Sequence, residues 1–140
     1  MKRFVTTISV GLLALGVCAY GAVDWARDYK SALERAGKEK KLVMVDLYAD
    51  WCGPCKLLDR LTFTNTDVQA ALAKDFVAVK VNIEGSKENR DLAIQFNTEA
   101  IPHIVFFDSS GKKLSEIVGF VPADQFRDEL RKAVEIAAKK

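Results

Sequence analysis

The sequence predicts an α/β domain with a central mixed sheet of about four strands flanked by helices, and three observations lead there. Two near-continuous apolar runs of strand length, Leu42 to Ala49 (LVMVDLYA) and Phe76 to Ile83 (FVAVKVNI), have the composition of central parallel strands covered on both faces. Stretches with apolar residues three and four apart lie around them, which is the pattern of helices packed on a sheet. Near the C-terminus two short apolar runs flank Asp108-Ser109-Ser110-Gly111, the chemistry of a tight turn between antiparallel strands. With 140 residues, 49% of them apolar, the chain has room for one such domain and is too hydrophobic to be disordered. A formal charge of +2, from 21 Lys and Arg against 19 Asp and Glu, gives no field suited to a phosphate backbone, so nucleic acid is not expected as a partner.

Taken in order, Trp25, Tyr29, Ala32, Leu33 and Ala36 form a stripe that predicts a first helix from about Ala22, ended by Gly37 and the lysines of 38–41. The strand over Leu42 to Ala49 follows, with Asp46 as its one charged residue. Lys56 to Leu61 is compatible with a helix, and Thr66-Asp67-Val68-Gln69 has the form of a capping box opening another through Ala73. After the strand over Phe76 to Ile83, Ser86 is a cap for a helix to about Phe96. Ile101-Pro102 precedes a strand over Ile104 to Phe107, Gly111 can take a positive φ in the turn, and Leu114 to Val118 returns as the antiparallel partner. Pro122 suits the first position of a last helix carrying Phe126, Leu130, Ala133, Val134 and Ala137.

The first 21 residues have a different character. Lys2 and Arg3 precede an apolar stretch, Ile8 to Ala19, and then Ala19-Tyr20-Gly21, the order of a secretory signal with cleavage after Gly21. A domain over 22–140 would remain. Its location would be periplasmic or otherwise outside the cytoplasm; an uncleaved signal anchor, or lipidation at Cys18 in Leu15-Gly16-Val17-Cys18, is the alternative. Removing this segment takes away Lys2, Arg3 and Cys18, which is the whole of the excess charge and the odd one of three cysteines.

The remaining pair, Cys52 and Cys55, follows a buried strand and opens a helix. Unpaired N–H groups and the helix dipole favour a thiolate there, so Cys52 is expected to be the nucleophile. Cys55, about one turn on, can attack Cys52 and expel a partner from a mixed disulfide. Pro54 is tolerated because the first turn does not need its N–H. A zinc site would need four ligands, and the domain offers two thiols and His103, so no metal is expected.

Asp46-Leu-Tyr-Ala-Asp-Trp-Cys-Gly-Pro-Cys-Lys56 resembles the active-site segment of thioredoxins, and Trp51 to Lys56 matches their signature residue for residue. Lys80-Val-Asn-Ile83, Ala100-Ile-Pro102 and Val118-Gly119 fall in the family's order. The segment from Asp46 to Gln69 is similar also to the periplasmic thioredoxin-like domain of the membrane thiol reductase DsbD, from which Gly53-Pro54 departs. The resemblance implies a thioredoxin fold and a protein-disulfide reductase needing no cofactor beyond a redox-active Cys52–Cys55 disulfide. It implies a cis Pro102 opposite the dithiol, with Trp51, Gly53, Pro54 and the backbone of Ile101 binding an extended client segment. Asp46 and Lys80 match the family's buried acid and its neighbouring lysine, and a carboxyl kept partly neutral by burial could accept the proton of Cys55. A plain salt bridge with Lys80 is the other reading.

His103, where thioredoxins usually carry Thr, either tunes the sulfurs or is hydrogen-bonded within the fold. The partners implied are protein thiols and disulfides and a membrane electron donor of the DsbD type, with the domain acting as a monomer. A dithiol oxidase or isomerase, or a non-catalytic binding module or chaperone, are the alternatives.

Overall fold

The computed structural model describes residues 21–139. Of the leader expected over 1–21, all but Gly21 lies outside the described residues, as does Cys18. The elements are β1 (Trp25–Ala26), α1 (Tyr29–Glu39), β2 (Leu42–Tyr48), α2 (Gly53–Leu57) continued by a π-helical turn (Leu58–Thr62), α3 (Thr66–Asp75), β3 (Phe76–Asn82), α4 (Lys87–Gln95), β4 (His103–Phe107), β5 (Lys113–Val118) and α5 (Ala123–Ala138).

The sheet has five strands in the order β1-β3-β2-β4-β5. Strands β1, β3 and β2 are parallel; β4 runs antiparallel to β2, and β5 to β4. The mixed sheet is as expected, with one strand more, because Trp25 pairs with Ala78 in β1 instead of opening the first helix. Asp28 is the reason: its side chain accepts from the Ser31 N–H and the Ser31 hydroxyl reciprocates, a capping box that starts α1 at Tyr29. The helix runs through Gly37 and ends where Lys40 turns to a left-handed conformation (φ 55°). A second cap also differs from expectation: Asn65, not Thr66, accepts from the N–H groups of Asp67 and Val68, while the Gln69 side chain donates to the carbonyl of Phe63. Ser86 caps α4 as expected, and Gly111 takes φ 86° in the β4–β5 turn. Pro122 precedes α5 as its cap residue instead of occupying its first turn.

Strand alternation sorts the core into two layers. Val43, Val45 and Leu47 face α1 and α4, packing with Ala32, Ala36, Val79, Phe96 and Phe107. Met44 faces the opposite side with Leu58, Phe63, Leu72, Phe106, Phe126 and Leu130. Asp46 and Tyr48 share the Met44 face by the same alternation, so the anomalous charge of β2 points into the layer that carries the cysteine helix.

Candidate active site

Cys52 is the N-cap of α2. Its backbone is extended (φ −77°, ψ 106°), and its Sγ accepts the N–H of Cys55 at 3.2 Å, so the sulfur occupies the place of a capping oxygen. Negative charge is favoured at that point by the free N–H groups and the dipole. Pro54 sits in the first turn, where no hydrogen bond is lost. The two cysteines form a disulfide with Cα atoms 5.3 Å apart, and both are buried. In the other direction along the chain, Trp51 is 65% exposed, and its indole N–H donates to Glu84 at 2.8 Å.

Leu47 pairs with His103, which puts Pro102 at the end of the sheet from which the Trp51-Cys52 loop departs. The Ile101–Pro102 bond is cis, and the Pro102 carbonyl accepts from Gly119 at 2.8 Å. The buried Thr62 hydroxyl, at the end of the π-helical turn, donates to the Val121 carbonyl at 2.7 Å. The cysteine helix is thereby tied to the same 119–121 segment that is bonded to Pro102.

Asp46 is 1% exposed and lies opposite Lys80 in the β2–β3 register. Lys80 Nζ donates to Asp46 Oδ2 at 3.0 Å and also to Asp59, which comes four residues after Cys55. Asp46 Oδ1 is buried and has no hydrogen-bond partner among the described residues. Burial pushes the Asp46 carboxyl up from its ordinary value, and the Lys80 ammonium only partly opposes this. Burial works against the Lys80 charge in turn, but Asp46 and Asp59 outweigh it and hold Lys80 above the usual lysine value. Asp46 thus lies on the sheet face that packs Leu58, at the end of the cysteine helix, with burial favouring the protonated form of its carboxyl.

His103 is buried, with Nδ1 3.0 Å from the Thr98 hydroxyl and Nε2 2.7 Å from Glu116. Glu116 lies below the usual carboxylate range because Lys113 and then His103 hydrogen-bond to it. Both ring nitrogens are thus used inside the fold, the arrangement of the hydrogen-bonded reading of this residue. Sequence reasoning missed Asp59, Glu84 and Thr62. Asp59 had a signal in its spacing of four from Cys55; the other two are paired only by tertiary structure. Among the described residues no group of three or more His, Cys, Asp or Glu could hold a metal ion.

A family model described as thioredoxin-like matches residues 24–109. The thiol:disulfide interchange protein DsbD of Actinobacillus pleuropneumoniae is 46% identical over 89 residues, covering 61% of this chain and 15% of that protein. DsbD of Ralstonia nicotianae is 38% identical over 111 residues, 78% of this chain and 18% of its own length. The chain therefore spans less than a fifth of these relatives. Among solved structures, the C-terminal domain of Neisseria meningitidis DsbD in the oxidised form aligns with a TM-score of 0.64 and 29% identity, over 74% of this chain and 91% of that domain. A thioredoxin from Thermus thermophilus aligns with a TM-score of 0.73 and 23% identity over 81% of this chain and 88% of that one, a likeness of fold alone. The Cys52–Cys55 pair closes a disulfide at the start of α2, and the chain belongs to the thioredoxin-like family.

Proposed function

We propose that the chain reduces disulfides of other proteins outside the cytoplasm. The observation that carries this reading is the Cys52 sulfur at the start of α2, accepting the Cys55 N–H and joined to Cys55 within one helical turn. In the reduced form, the Cys52 thiolate attacks one sulfur of a client disulfide. A Cys52–client bond forms, the client S–S bond breaks, and one client thiolate leaves. Cys55 gives its proton to Asp46 and attacks Cys52 Sγ, closing the Cys52–Cys55 disulfide and releasing the second client thiolate. Two electrons pass from the dithiol to the client. Lys80 balances the charge of Asp46 when it is ionised, and the client lies along Trp51, Gly53 and Pro54 with its backbone paired to Ile101 beside Pro102.

The reducing direction is supported by Gly53-Pro54, the dipeptide of thioredoxins, whose potential is near about −270 mV against about −120 mV for the strong oxidant of the superfamily, a gap of about 7 kcal/mol. Work outside the cytoplasm is supported by the signal-like order of residues 1–21 and by the DsbD relatives. A reductant placed there must be recharged, which calls for a membrane donor of the DsbD type. Among the described residues no helix is long and apolar enough to cross a membrane.

Insulin reduction in the presence of a chemical dithiol donor tests the reading. Wild type is expected to turn over, Cys55→Ser to accumulate a mixed disulfide through Cys52, and Cys52→Ser to do neither. Equal turnover by wild type and Cys52→Ser would contradict it.

A further inference from the structure

Lys80 is held by more than its carboxylates. Its Nζ lies 5.0 Å from the ring centroid of Trp25, 4.8 Å from that of Tyr48 and 5.5 Å from that of Phe63. The rings come from β1, from β2 and from the residue after the π-helical turn. Phe63 is fixed in place edge-on between Trp25, at 5.2 Å, and Phe126, at 5.5 Å. A cation over aromatic faces is attracted by their quadrupoles, more so where water is thin.

The two carboxylates that share Lys80 differ sharply in exposure, 2% for the Asp46 side chain and 46% for that of Asp59. A lysine free to move would follow hydration toward Asp59, whereas the rings hold its charge over the sheet. Lys80 is the group that hydrogen-bonds the Asp46 carboxylate among the described residues, through Oδ2.

We propose that Trp25, Tyr48 and Phe63 are positioning residues: an aromatic cage that keeps the Lys80 ammonium against Asp46 and so sets the pH at which this carboxyl gives up its proton. The groups that face Asp46 with charge are Lys80 from β3 and Asp59 from the π-helical turn. Its β4 neighbour, Ile104, does not titrate, Trp25 in β1 adds none, and the cysteines are tied in the disulfide. The catalytic consequence rests on Asp46 as proton acceptor, but the cage itself does not.

The test is a carboxyl-carbon NMR titration of Asp46 in the oxidised protein, where neither cysteine titrates. Trp25→Leu removes one ring while keeping apolar cover, and the Asp46 midpoint is expected to rise by about half a pH unit, a modest cation–π contact converted at about 1.4 kcal/mol per unit. Trp25→Phe is expected to restore most of the shift, and in a Lys80→Met background Trp25→Leu is expected to add none. Tyr48→Leu carries the same expectation and decides the matter if Trp25→Leu does not fold. An unchanged or lowered midpoint in either folded variant, or an equal shift without Lys80, overturns the proposal. Activity is not read here, so failure of Asp46 as proton acceptor would appear separately, in the mixed-disulfide kinetics of Asp46→Asn.

Discussion

Replacing Asp46 by Asn in the oxidised protein removes one buried ionisable group and leaves its shape. Burial raises the Asp46 carboxyl above its value in the unfolded chain, so between those two values the folded protein binds one proton that the unfolded chain has lost. The stabilisation from this group is therefore fully present below about pH 4, where both states are protonated, and is lost as pH rises through the folded value. One proton of difference corresponds to a slope approaching about 1.4 kcal/mol per pH unit. Urea unfolding of both proteins from pH 4 to 9 reads this directly. Wild type is expected to lose stability relative to Asp46→Asn with that slope over the window, and then to run parallel to it. Groups common to both proteins cancel in the difference, including Glu116, whose carboxyl is lowered by Lys113 and His103. The stabilisation from Lys80, held above the usual lysine value, is fully present below about pH 10 and is lost only above it, outside this range. A stability difference that is flat across the range, or that moves in the other direction, would refute the reasoning that burial outweighs Lys80 at Asp46.

Other consequences can be checked with simpler variants. Thr62→Val deletes the hydroxyl that donates to Val121 and should cost about 1–2 kcal/mol in urea unfolding, with Thr62→Ser recovering most of it. Leu58→Ala opens a cavity where the cysteine helix meets the core and should cost about 2–5 kcal/mol, whereas a cost under about 1 kcal/mol would mean that the helix packs elsewhere. His103→Thr breaks bonds to Thr98 and Glu116 and should lower stability while shifting the reduction potential by less than about 10 mV. A larger shift in that variant would make His103 part of the redox site.

The strands and the chemistry of the pair were legible because each is a local pattern. Leu42 to Tyr48 and Phe76 to Asn82 are apolar nearly throughout, as buried parallel strands must be, and Cys52 and Cys55 announce a helix N-terminus by spacing and by Pro54. Asp46 stood out because a charge in such a strand needs a partner, which the register supplies as Lys80. What escaped the sequence lies between elements. Trp25 fits the helical stripe of α1 equally well, and only the capping box of Asp28 with Ser31 and the pairing with Ala78 make it a strand residue. The cage around Lys80 joins residues 25, 48 and 63, whose common location depends on how β1 and the π-helical turn pack on one sheet face. Glu84 and Thr62 read as ordinary polar positions until Trp51 and Val121 are brought to them.

Whether the Cys52–Cys55 dithiol gives electrons to protein disulfides, as proposed, is decided by its reduction potential. Equilibrating residues 22–140 against a glutathione or dithiol buffer of known poise, with the oxidised fraction read by thiol alkylation, measures its reduction potential. A value near that of thioredoxin, about −270 mV, is expected of a reductant; a value of about −120 mV would make the protein an oxidant and contradict the proposed direction.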